Sequence, residues 1–373
     1  MLSRRDLIRT APAAALAAGL PLTPALAGEE PLIVRMDEPR NLETPLSELF
    51  TGGNDKFFVR AHFAVPEVGA KGHKLTVGGH VENKLELTLD DLKKLGEVSR
   101  EVVLECAGNG RVFLTPPAAG LQWGQGAVGQ AKWTGVPLGA VLERAKLKAG
   151  AQTVVLVGAD KGALPNSPGA VHFDRGIPLA KAKKDETLLV WGMNGEPLPT
   201  SHGGPLRALV GGWYGMASVK WLTKIVVLDK EHDGFWQTFD YSHWVPNKEG
   251  LPQLVPVAAI QPKAVIVSPA PGAALKAGEG VAVKGIAWAG ENAVAKVELS
   301  ADGGKTWGEA KVGKSEPLKV AGWEAKFTPK AKGPLEIVAR CTDDRGNTQP
   351  AKRDANRRSY MINHLIPVEV VVR

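Results

Sequence analysis

Val102-Val-Leu-Glu-Cys106-Ala-Gly-Asn-Gly-Arg111 joins an apolar, β-branched run to a cysteine, four small or polar residues and an arginine. The run predicts a strand that delivers Cys106 at its end. Small residues after the sulfur let a bulky group approach it. A thiolate is a soft ligand for a transition metal, and a guanidinium offers a fork for an oxyanion. The same residues suit a buried, inert thiol before a turn. No Cys-x-x-Cys or His-rich spacing indicates zinc, and no Cys-x-x-Cys-His indicates attached haem. The only other cysteine, Cys341, falls in a different predicted domain, so a bridge between the two is not expected.

Outward from this strand, turn signals and short apolar runs alternate. Thr153–Val157, Leu188–Met193 and Ile225–Leu228 read as strands, with Asn194-Gly195 as a hairpin turn. Leu138–Leu147 reads as a helix with Pro137 at its start. Residues 28–55 read as an irregular lead-in. After Pro252 and Pro256 the character changes. Ala264–Val267, Val281–Ile286, Ala295–Leu299, Ile337–Cys341 and Val368–Val372 are short, evenly spaced strands, and Asp302-Gly303-Gly304 is a turn before Trp307. That spacing predicts an immunoglobulin-like β-sandwich. The expected fold is α+β and mostly β, with a catalytic domain over 28–257 and a sandwich over 258–373.

The 373 residues allow two or three domains. An apolar fraction of 44% and a charged fraction of 23% exclude a disordered chain and a polytopic membrane protein. The formal net charge is +7. Without a Lys/Arg block or an aromatic RNA motif this indicates no nucleic acid, and it suits small anions. Lys181-Ala-Lys183-Lys184 reads as a solvated face. Residues 1–27 carry Arg4-Arg5, a short apolar stretch and Ala25-Leu-Ala27, the pattern of a twin-arginine signal. The stretch is too short and too proline-broken for a membrane anchor. A mature chain starting near Gly28 in a bacterial periplasm is expected, carrying a bound cofactor. Gly124-Gln-Gly126-Ala-Val-Gly129 spells a dinucleotide fingerprint, but Trp123 precedes it and Trp133-Thr-Gly-Val-Pro137 follows. It is read as a glycine-rich loop.

The LECAGNGR segment resembles the motif that holds the molybdenum-ligating cysteine of the sulfite oxidase family. The likeness continues in order along nearly the whole mature chain. Phe58-Val-Arg60-Ala-His62 is similar to a segment with an active-site Arg and His; in a strand the two would share a face. Gly120-Leu-Gln-Trp123 resembles the stretch that places a Trp beside the substrate. Ser201-His202 through Arg207, with Ser218-Val-Lys220, resembles the cofactor anchor, and Gly211-Gly-Trp-Tyr-Gly215 allows close backbone approach. A pterin tail ends in phosphate, so cationic and hydrogen-bonding groups suit it. Phe235–Tyr241 resembles the segment that supplies the active-site Tyr. Asn356-Arg357-Arg358 resembles the stretch bringing a second substrate arginine, Arg358 aligning better than its neighbour Arg357.

The resemblance implies a molybdenum–molybdopterin cofactor, Cys106 as its metal ligand, and His202, Arg207 and Lys220 as cofactor contacts. Arg60, Arg111 and Arg358 would bind sulfite, with Trp123 beside it, His62 facing the cofactor and Tyr241 in reach of an oxygen on the metal. It further implies oxidation of sulfite to sulfate and a homodimer built through the sandwich. No haem-binding region precedes Arg60, so an external c-type cytochrome is the expected electron acceptor. Two alternatives stay open: a sulfane dehydrogenase subunit of a thiosulfate-oxidising complex, and a non-catalytic periplasmic binding protein.

Overall fold

A computed structural model describes residues 31–49, 53–164 and 169–373. The expected signal, residues 1–27, lies outside the described residues, as does Gly28. Two five-stranded sheets form the frame of the N-terminal part. The first orders Glu196–Pro197, Thr187–Met193, Val128–Pro137 and Val98–Glu105, with Arg207–Val210 also paired to Thr187–Met193. The second orders Leu85–Leu87, Leu75–Gly79, Leu222–Leu228, Thr153–Ala163 and Ala170–Pro178. All these pairings are antiparallel except Leu75–Gly79 with Leu222–Leu228.

The TVVLV run opens a strand longer than its apolar core, because an irregularity between Val157 and Lys161 lets pairing resume to Ala163. Asn194 and Gly195 have φ of 54° and 84°, the left-handed pair that a two-residue hairpin needs. The helix spans Leu138–Ala145, ending two residues before the predicted Leu147. Leu138, Val141, Leu142 and Ala145 form its buried stripe. Lys146, at φ 52°, turns the chain out of the helix.

Two expectations are corrected. The lead-in is not wholly irregular: Ile33–Met36 pairs with Asn41–Glu43. That hairpin carries Glu43 to the glycine-rich loop, where the N–H groups of Gly124 and Gly126 donate to its carboxylate at 2.9 and 2.8 Å. Arg35 adds a charged contact at 2.5 Å. The loop thus cradles an anion, but the anion is an internal carboxylate, and Gly129 already belongs to the next strand. Finally, Lys181 is not solvated. Its amine is buried and donates to Glu186, Glu291 and the Gly211 carbonyl.

Residues from Lys263 onward form a sandwich. One sheet orders Lys263–Ser268, Val281–Trp288, Ala321–Phe327 and Lys311–Val312. The other orders Ala274–Leu275, Val368–Val372, Gly333–Asp343, Val294–Ser300 and Gly308–Glu309. The sandwich has its own apolar interior, which holds Cys341. Its outer residues Val265, Ile286, Trp288, Tyr360 and Met361 share a second cluster with Val103, Ala107 and Tyr214 of the N-terminal part. The two parts therefore meet across a continuous apolar seam, directly behind the turn that follows Cys106. Among the described residues no helix is long and apolar enough to cross a membrane.

Candidate active site

The strand Val98–Glu105 delivers Cys106 at its end, as the sequence predicts, and the thiol lines a cleft. Both cysteines are free. Seven of the ten predicted site residues line the cleft: Cys106, Arg60, His62, His202, Arg207, Lys220 and Tyr241. They converge from four separate stretches of chain. Arg60 and His62 come from an extended segment held by a single bridge, Leu42 to Val59, rather than from a full strand.

The remaining three stand elsewhere. Trp123 does not border the cleft. Its ring is completely buried in the apolar cluster that also contains Phe57, Phe58 and Cys106. Burial of so large an apolar face stabilises the core more than solvent contact would. Arg111 lies behind the wall, where its guanidinium donates to the carbonyls of Ser359 and Leu121 and stands over the Tyr360 ring. Arg358 points to the segment that carries Tyr241. It donates to the carbonyls of Phe239 and Asp240, at the end of a one-turn helix, and to that of Ser242, where the next strand begins. Arg357 is engaged with Asn363 and the Met361 carbonyl.

Electrostatics single out the cleft. Among the described residues Arg60, Arg207 and Lys220 form no ion pair. Arg207 donates to the carbonyls of His202 and Ser218, and Lys220 to that of Ser201, each at 2.8 Å. Burial lowers the Arg207 pKa to about 9. Burial first, then Arg207, pushes that of Lys220 well down. Cations held so unfavourably form a site prepared for an anion. His202 is not a cation here. Burial brings its pKa to about 4, and Nε2 faces the Asn54 carbonyl at 3.0 Å, so it serves as a neutral hydrogen-bonding group.

Asp160 was not found from the sequence. It is 5% exposed, lines the cleft, and has a carboxylate oxygen with no partner. Burial raises its pKa to about 6, against the pull of Lys220 and Arg60. It lies in a strand whose local pattern resembles any other half-buried strand, so only the fold reveals it.

Tyr241 and His62 form a pair, with the hydroxyl 2.6 Å from Nε2. Arg60 Nη2 is 2.8 Å from the ring's Nδ1 and 3.0 Å from Nε2, so the guanidinium lies against both nitrogens of the ring. The phenolic hydroxyl and the ring are joined at the edge of the cleft. Burial, then Arg60, Lys220 and Arg111, lower the His62 pKa well below its ordinary value. Burial chiefly raises that of Tyr241. The ring stays neutral and the phenol stays protonated.

A pH dependence follows. His202 and His364 are each shifted to about 4, and His62 well below 6.5. Unfolded histidines bind protons below about pH 6.5 and these folded ones do not, so stability falls as pH drops from about 6.5 towards 4. Asp160, raised to about 6, takes up its proton first in the folded state and offsets part of this. For the cofactor-free protein, unfolding free energies from urea titrations at pH 7.5 and 5.0 should differ by on the order of 3 kcal/mol, with pH 7.5 the more stable and its midpoint the higher. An equal or higher midpoint at pH 5.0 would contradict this.

The chain was compared with known proteins. The domain family described as "Oxidoreductase molybdopterin binding domain" matches residues 62–236. That described as "Mo-co oxidoreductase dimerisation domain" matches 256–372. The mitochondrial sulfite oxidase of Drosophila melanogaster is 34% identical, over 89% of this chain and 62% of that protein. The sulfite oxidase of Gallus gallus is 33% identical, over 87% of this chain and 75% of that protein. This chain belongs to the sulfite oxidase family.

Its fold is that of the sulfite oxidase family as well. The sulfane dehydrogenase SoxCD from Paracoccus pantotrophus is similar with a TM-score of 0.75 and 26% identity, covering 88% of this chain and 83% of that one. The chain spans 62% of the length of the fly relative.

The donor set fits a molybdopterin cofactor. Cys106 offers a soft ligand, Arg207 and Lys220 face the cleft without counter-ions, and Asp160 offers an unpartnered acceptor for a heterocycle rich in N–H groups. The set fits no purely protein-held ion, since no group of three metal-binding side chains occurs among the described residues.

Proposed function

We propose that this chain oxidises sulfite to sulfate at a molybdenum–molybdopterin centre, in the periplasm, and passes the electrons to an external c-type cytochrome. One observation carries the reading: a thiol, three cations without counter-ions and an unpartnered carboxylate face one cleft. Cys106 would ligate the metal. His202, Arg207, Lys220 and Asp160 would hold the pterin and its phosphate. When bound, the cofactor supplies the oxidation of sulfur and accepts two electrons.

The chain supplies binding and positioning. Arg60 on the wall and Arg111 behind it make the cleft positive, which draws a small dianion in and offsets its charge. His62 holds the phenolic hydroxyl of Tyr241 at the cleft, beside the bound anion. Arg358 straps the Tyr241 segment to the sandwich. The sandwich supports a homodimer, in keeping with the dimerisation-domain match.

A second reading, oxidation of a carrier-bound sulfane sulfur, is favoured by the fold likeness to SoxCD. One experiment separates them. Cofactor-loaded protein is mixed with sulfite and oxidised c-type cytochrome, and haem reduction is followed. Sulfite-dependent reduction is expected. No reduction in a sample that contains molybdenum would remove the sulfite reading and favour the sulfane one. Absence of molybdenum after loading would favour a non-catalytic binding protein.

A further inference from the structure

We propose that Lys263, on the first strand of the C-terminal sandwich, is a positioning residue for Cys106. The inference rests on Cys106 as the metal ligand. Glu105 directly precedes that cysteine and is 1% exposed. Its Oε1 accepts from Lys263 Nζ at 3.1 Å and from Asn109 Nδ2 at 3.0 Å, and its Oε2 accepts from Trp288 Nε1 at 2.8 Å. Lys263 Nζ also donates to the Asn109 carbonyl at 3.2 Å.

Asn109 closes the network. Its Oδ1 accepts from Ala127 N–H at 3.1 Å, and its own N–H donates to the Cys106 carbonyl at 2.8 Å. Cys106 N–H in turn donates to the Ala127 carbonyl at 2.9 Å. The turn from Cys106 to Arg111 is thus held at its buried side by Lys263 and Trp288, both sandwich residues. Met361 N–H adds a bond to the Ala107 carbonyl at 2.8 Å, also from the C-terminal part.

A buried ion pair is a poor device for stability alone, because desolvating both charges costs as much as their attraction returns. Apolar residues of the same size would hold the seam equally well. What the pair adds is direction: a fully bonded carboxylate beside the cysteine permits one course of the backbone through the turn. The sandwich is therefore part of the scaffold of the metal site, besides any part it plays between subunits.

The test uses the full-length holoenzyme with Lys263→Met, with Glu105→Gln, and with both together. Each single change leaves a buried partner unsatisfied and should speed molybdenum release about 10- to 100-fold. Each should also shift the sulfur-to-molybdenum charge-transfer absorption. The double variant carries no unpaired buried charge, so its release should fall back below that of either single variant. Folded single variants that keep both the metal and the parent absorption band would reduce Lys263 to a structural residue and overturn the inference alone. A parent chain that binds no molybdenum would overturn both the inference and the reading beneath it.

Discussion

Cys106→Ala is expected to bind molybdenum at least about a hundredfold more weakly than the parent and to lose all sulfite-dependent reduction of cytochrome. The physical reason is that no substitute exists. Among the described residues no cluster of three metal-binding side chains occurs, and the other thiol, Cys341, is fully buried in the sandwich. Burial pushes the Cys341 thiol up to about 12, so it presents no thiolate at neutral pH. Cys341→Ala should therefore keep both metal and activity and serves as the control. The fold should survive in either variant, since each removes one small side chain. Metal content and cytochrome reduction measured on the same sample check the outcome. An active Cys106→Ala protein would sink the assignment of the ligand.

Tyr241→Phe is expected to lower kcat/KM for sulfite about a hundredfold, mostly through kcat. The change deletes one hydroxyl and keeps the ring, which packs on Tyr360 at 4.9 Å between centroids. Folding and cofactor retention should hardly change. The loss arises because the phenolic hydroxyl, held 2.6 Å from His62 Nε2, borders the cleft where the anion would lie. The parent's rate should show no titration from this pair between about pH 6 and 9. His62 titrates below that range and Tyr241 above it. Stopped-flow reduction across that range, for parent and variant, reads both points. A variant that kept the parent kcat while only KM rose would place Tyr241 in ground-state binding instead.

Much of the architecture was legible in the sequence, because strand runs are local signals. Val102–Leu104 and Val154–Leu156 are apolar on successive positions, and all six residues are buried. Asn194-Gly195 carries its own turn chemistry, and Val368–Val372 appears with the predicted bounds. The site was legible as a set of residue types in order. Resemblance to a family transfers such an order, and seven of the ten residues meet at one cleft.

What it could not decide is which way a side chain turns once distant chain is packed against it. Trp123 and Arg358 sit in motifs similar to those of substrate contacts, yet one is sunk in a core and the other is bonded to backbone carbonyls. Lys181 lies in a basic run but reaches Glu291, 110 residues away. Asp160 is an ordinary aspartate until burial leaves one of its oxygens without a partner. Glu105 and Lys263 are 158 positions apart, and neither has a local signature of pairing. Local pattern by itself determined the strands, the helix stripe, the thiol at a strand end and the order of the motifs. Burial, counter-charge and hydrogen-bond partners are properties of residues brought together by the fold. Tertiary structure alone therefore decided which cations face the cleft, which carboxylate joins them, and that the sandwich holds the turn beneath Cys106.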